Sequence, residues 1–150
     1  MGESHLKGCA AKMIASLDAR FDVCGVTKPG SATGTSIEMA KGDLEKLTMN
    51  DFLIVCSGTN DTDRNYSSNA FKNITNFIGS VNHTNIILIC VPYRYSMIDY
   101  SHVNTTIKSF NSKLLKLAKI FSHVSIIKIV NNRLLFTKHG LHLNKSGKEL

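Results

Sequence analysis

Apolar positions along the chain alternate between two kinds of run. Short β-rich runs occur at residues 21–26, 52–56, 86–91 and 124–130, bounded by Gly, Asn, Ser or Pro. Between them the apolar residues keep a helical period. Leu6, Cys9, Ala10, Met13, Ile14 and Leu17 share one face, as do Phe71, Ile74, Phe77, Ile78 and Val81. The longest pattern, over residues 103–121, puts Ile107, Phe110, Leu114, Leu117 and Phe121 on one side and lysines on the others. Continuous apolar strands separated by helices predict an α/β fold, a three-layer α/β/α sandwich around a parallel sheet covered on both faces. No repeat, linker or low-complexity segment interrupts it, so residues 1–150 read as one domain.

Composition agrees with a globular chain: 43% hydrophobic and 19% charged over 150 residues. No apolar run reaches the length of a membrane span, and the first residues have no signal-peptide core. Cys9, Cys24, Cys56 and Cys90 lack metal-binding spacing. The last three lie in apolar runs, which suits buried thiols in a reducing, cytoplasmic setting. Charge is unevenly spread. Residues 1–100 balance at −1, whereas residues 101–150 carry +8, through Lys108, Lys113, Lys116, Lys119 and others against Glu149 alone. That basic third is either a solvated helix face or a surface for nucleic acid.

Parallel sheets gather chemistry at the C-terminal ends of their strands. Four polar stretches fall at such places or beside them: Gly2-Glu3-Ser4-His5, Pro29-Gly30-Ser31, Gly58-Thr59-Asn60-Asp61 and His139-Gly140-Leu141-His142. Ser4 opens the first helical pattern, where it is either an N-cap or a nucleophile favoured by free N–H groups. Asn60, in a loop after an apolar strand, is an Asx-turn residue or an amide donor to an oxyanion. Gly30 is a turn glycine or a source of one further N–H. His142 is the best candidate base of six histidines. His139 and His142 make half a metal site at most, with no third ligand at suitable spacing, so no metal and no cofactor are expected.

In this order the stretches resemble the motif blocks of the SGNH (GDSL-type) serine hydrolase superfamily: Gly-Asp-Ser, a lone Gly, Gly-x-Asn-Asp and Asp-x-x-His. Residues 143–148 are similar to the helix opening that follows the last block. The resemblance spans nearly the whole chain, and its ending is also similar to insect sequences from retrotransposon reading frames. It implies Ser4 as nucleophile, His142 as general base, and an oxyanion hole of the Ser4 and Gly30 N–H groups with the Asn60 amide. The reaction implied is hydrolysis of a small acyl ester through an acyl-serine.

Three departures from the family bear on function. Glu3 stands for the aspartate beside the serine, and its extra methylene is expected to move the carboxylate off its usual hydrogen bonds. His139 stands for the triad aspartate, whose replacement in a serine protease costs about 10⁴-fold in kcat; His139 remains a possible support for His142. Only three residues precede Ser4, so the first central strand and the end of a last helix are expected to be missing. A degenerate domain kept for binding or assembly, with nucleic acid as partner, is therefore the alternative to an esterase. Tyr93, Arg94, Tyr95, Met97 and Tyr100, in the loop at 92–102, either line a substrate pocket or pack on the sheet end.

Overall fold

The computed structural model describes residues 1–97 and 101–149. Three strands, β1 (Phe52–Val55), β2 (Asn85–Ile89) and β3 (Val124–Ile127), form a parallel sheet in that order. Five α-helices are described: α1 (Cys9–Ser16), α2 (Thr33–Leu44), α3 (Thr59–Asp63), α4 (Ser67–Ser80) and α5 (His102–Leu117). The α/β architecture with a parallel sheet is the one the sequence pattern predicts.

Register decides which strand residues form the core. Leu53, Ile86 and Val124 are aligned across the sheet, as are Val55, Leu88 and Ile126. All six face one side, because side chains alternate along a strand. There they join Ile74 and Ile78 of α4 and Ile107, Phe110 and Leu114 of α5 in one apolar cluster. The opposite face carries Phe52, Ile54, Ile87, Ile89 and Ile127. It is only partly covered, with Phe52 56% and Ile127 50% exposed. The strands were expected to be buried on both faces, but α1, which buries no residue, seals less than its apolar period suggests.

Residues 1–3 extend the sheet beside β1. The Gly2 N–H donates to the Val26 carbonyl (3.0 Å), and the Lys28 N–H donates back to the Gly2 carbonyl (3.1 Å). On the other side Glu3 N–H donates to the Cys56 carbonyl (3.2 Å), and Cys56 N–H to the Met1 carbonyl (3.1 Å). Gly2 thus bridges Thr27 and Cys56 at once. Only glycine fits there, since a Cβ would meet the Cys56 carbonyl oxygen. The strand expected at 21–26 is instead irregular backbone, paired at Thr27 alone. Its neighbour offers ladder pairing only around Gly2, and Cys24 is consequently exposed rather than buried. Cys56 and Cys90 are buried as expected, and burial pushes the Cys56 thiol up to about 12.

Two helices differ from the periodicity. The pattern over residues 6–17 is split: a 3-10 turn spans Ser4–Leu6, and Gly8, at φ +80°, precedes α1. α2 has no apolar stripe to announce it, because its buried positions are Thr33, Ser36, Ala40 and Leu44. Among the described residues no helix is long and apolar enough to cross a membrane.

Candidate active site

Asp61 and Glu3 organise the polar floor of the site. Gly58-Thr59-Asn60-Asp61 is not a loop but the opening of α3, with Gly58 at φ +117° pressed against the Phe110 ring. Asp61 Oδ2 accepts from the Thr33 N–H (2.9 Å) and hydroxyl (2.8 Å), which fixes the start of α2. Ser57 Oγ shares its one hydrogen between Thr33 Oγ1 (3.0 Å) and Glu3 Oε1 (3.3 Å). Glu3 corrects the expectation drawn from its length. Only 1% exposed, its carboxylate accepts from the Gly58 N–H (2.7 Å), the Asn60 N–H (3.2 Å) and Asn60 Nδ2 (3.0 Å). Burial nevertheless raises its pKa, because those donors offset only part of the lost hydration.

Asn60 Nδ2 also donates to the Ser31 carbonyl at 2.9 Å. Both amide hydrogens are therefore engaged, one on Glu3 and one on the backbone next to Gly30. Gly30 itself is exposed, at φ +75°, in the turn closed by Ser31 N–H on the Lys28 carbonyl (3.3 Å).

Ser4 begins the 3-10 turn and is half-buried, with Glu3 rather than Ser4 in the capping position. The following residue, His5, is 2% exposed, and its ring lies 5.3 Å from the His142 ring, centroid to centroid. The first and last motif stretches thus meet across the chain. Both His5 ring nitrogens, His142 Nδ1 and Arg94 Nε are buried without a hydrogen-bond partner. Burial, then the charges of His142, Lys148 and Arg94, push the His5 imidazole down to about 4. Burial, with Lys148 and Arg94, lowers His142 as well.

His139 is exposed, and the unpartnered His142 Nδ1 shows that His139 does not support that nitrogen. Of the loop residues at 92–102, Arg94 pairs with Asp63 (3.0 Å) and the Tyr95 ring packs on Phe136 (4.7 Å). Tyr93 packs against the core cluster, Met97 is exposed, and Tyr100 lies outside the described residues. Sequence reasoning passed over His5, whose one available signal was its place directly after Ser4. Among the described residues no three metal-ligating side chains converge. A groove of about 560 Å³ between α2 and α4, lined by Ile37, Leu44, Phe77 and Val81, contains none of these site residues.

No family model matches the sequence, and no curated protein matches it. Solved structures do match in fold. A lipolytic protein of the G-D-S-L family from Veillonella parvula superposes with a TM-score of 0.81 at 15% identity, over 99% of this chain and 89% of that one. A GDSL-like lipase from Bacteroides thetaiotaomicron gives 0.77 at 18% identity, over 99% and 80%. The OSK domain of Drosophila Oskar gives 0.71 at 15% identity, over 99% and 81%. With these strands, this motif order and these superpositions, the chain has the fold of the SGNH (GDSL-type) hydrolases.

Proposed function

We propose that the protein is a slow serine ester hydrolase working through a Ser4–His142 dyad. The observation that carries this reading is the His5–His142 contact, which brings the His142 loop to the residue next to Ser4 across the whole length of the chain. His142 takes the Ser4 hydroxyl proton as Oγ bonds to the ester carbonyl carbon, and the carbonyl oxygen becomes the oxyanion. The protonated imidazole then gives that proton to the departing alcohol, leaving an acyl-serine. Water, deprotonated by His142, releases the acid and restores Ser4. The Ser4 and Gly30 N–H groups and the Asn60 amide are the donors proposed for the oxyanion, Asn60 first giving up the Ser31 carbonyl.

Two features set the expected rate. A lowered pKa keeps His142 in the base form at neutral pH. No partner on Nδ1 stabilises the imidazolium that forms, and loss of that support costs about 10⁴-fold in a serine protease. A fluorophosphonate probe is expected to label the wild-type chain and not Ser4→Ala, with short-chain aryl ester hydrolysis lost in Ser4→Ala and His142→Ala. Equal labelling of wild type and Ser4→Ala would sink the dyad.

The committed Asn60 hydrogens favour a second reading, a domain that keeps the fold for binding. Its basic final third makes nucleic acid the partner to test. Binding to single-stranded nucleic acid that weakens steeply with salt, without ester hydrolysis, would select it.

A further inference from the structure

Buried polar atoms without partners are rare in folded proteins, because each costs the hydration it has lost. Six side-chain nitrogens and oxygens are of this kind among the described residues, and four fall in one neighbourhood: His5 Nδ1 and Nε2, His142 Nδ1 and Arg94 Nε. Three are imidazole nitrogens, able to donate once protonated or in the suitable tautomer, and the fourth is a permanent cationic donor.

The backbone holds these side chains together. The loop carrying Arg94 is tied to the His142 loop by the Tyr95 N–H on the Gly140 carbonyl (2.9 Å). Asn104 of α5 grips both backbone groups of Arg94: the Arg94 N–H donates to Asn104 Oδ1 (2.9 Å), and Asn104 Nδ2 donates to the Arg94 carbonyl (3.1 Å). Lys148 Nζ reaches the Lys7 carbonyl at 2.9 Å, two residues from His5. Beyond the effect of the His142 ring on His5, the charges acting on the two imidazoles are those of Lys148 and Arg94, and both are positive. One carboxylate, Asp63, touches Arg94, and it is itself more than a third exposed. Ser4 and His142 keep part of their surface in solvent.

We infer that His5, His142 and Arg94, with Lys148 behind them, form a binding site for a compact oxyanion, and that the esters this site takes carry a negative charge. A carboxylate or phosphate group accepts the hydrogens these side chains hold, one on each neutral imidazole and one on Arg94 Nε, and its charge balances Arg94 and Lys148. The anion site stands on its own geometry, whereas the substrate class rests on the proposed hydrolase reading.

The test has two arms on the full chain. In the first, inorganic phosphate is titrated calorimetrically at constant ionic strength. Saturable one-to-one binding is expected, weakened at least 10-fold in Arg94→Gln, largely restored in Arg94→Lys, and unchanged in Lys116→Gln on the remote face of α5. Absence of saturable binding, or binding indifferent to Arg94→Gln, overturns the anion site. In the second, a p-nitrophenyl hemisuccinate is compared with p-nitrophenyl acetate. A kcat/KM at least 10-fold higher for the charged ester, carried by KM and lost in Arg94→Gln, supports the substrate class. Equal hydrolysis of both esters overturns the substrate class and leaves the dyad standing. Phosphate binding with neither ester cleaved overturns the hydrolase reading and the substrate class, and leaves the anion site standing.

Discussion

His5 is neutral in the fold because burial opposes its charged form, and it regains an ordinary pKa when the chain unfolds. Between about pH 6.5 and about 4 the unfolded chain therefore binds the extra proton, and stability falls as pH drops through that window. At about 1.4 kcal/mol per unit, the full effect is about 3 kcal/mol. Glu3 acts in the other direction. Its raised pKa means that the buried, ionised carboxylate costs stability, and acid relieves that cost. Comparing variants separates the two: His5→Phe should lose less stability than wild type between pH 7 and pH 4.5 in urea unfolding. Equal losses would mean that His5 is not held neutral. Motif order singles out Ser4, Asn60 and His142 in the sequence, and the structure ties Asn60 and His142 to the two neighbours of Ser4, Glu3 and His5. Neither the engagement of both Asn60 hydrogens nor the burial of His5 was legible there, since each depends on contacts more than 25 residues away in sequence.

Elements were legible where burial coincides with apolar chemistry. The faces of α4 and α5 match their periodic residues, with Ile74, Phe77, Ile107, Phe110, Leu114 and Leu117 all buried. α2 escaped notice because hydroxyl groups fill its inner face, where Thr33 and Ser36 are satisfied by Asp61 and Ser31 instead of by packing. The strands show the converse. Their apolar runs imply two covered faces, but a run cannot say how well each face is covered. Ile86→Ala, on the sealed face, is expected to cost 2–5 kcal/mol, on the order of other large-to-small core changes. Phe52→Thr, on the open face, should stay within about 0.5 kcal/mol. Urea midpoints measure both, and a comparable loss at Phe52 would mean that the open face is covered in solution.

Across the whole molecule, two features cross element boundaries. The basic final third divides in space: Lys108, Lys113 and Lys116 lie exposed along α5 and Lys119 in the turn just past its end, whereas Lys148 acts at the His5–His142 pair. A charge sum along the sequence could not separate a solvated face from a site. The other feature is Gly2, which joins the 26–28 segment to β1. Gly2→Val forces a side chain against the Cys56 backbone, and overpacking of that kind costs about 1–3 kcal/mol. For a chain of this size that lowers Tm by roughly 2–12 °C in calorimetry. An unchanged Tm would show that the Gly2 junction is loose.

That junction also sets an order of melting. Residues 1–3 are held by hydrogen bonds of their backbone and of the buried Glu3 carboxylate, and Ser4 follows them directly. Apart from Met1, this segment packs no apolar side chain on the core cluster, and segments with few buried apolar contacts open at a lower free energy than the core. When this one detaches, it takes Ser4 with it and frees Asn60 from Glu3, while β1, β2, β3, α4 and α5 stay assembled. Amide exchange at Gly2 and Glu3 should then outpace that at Ile86 and Leu88 by orders of magnitude. The Ser4 labelling proposed above should vanish on warming several degrees before the helical signal does, so that the edge of the sheet beside β1, and not its core, sets the temperature at which the site works.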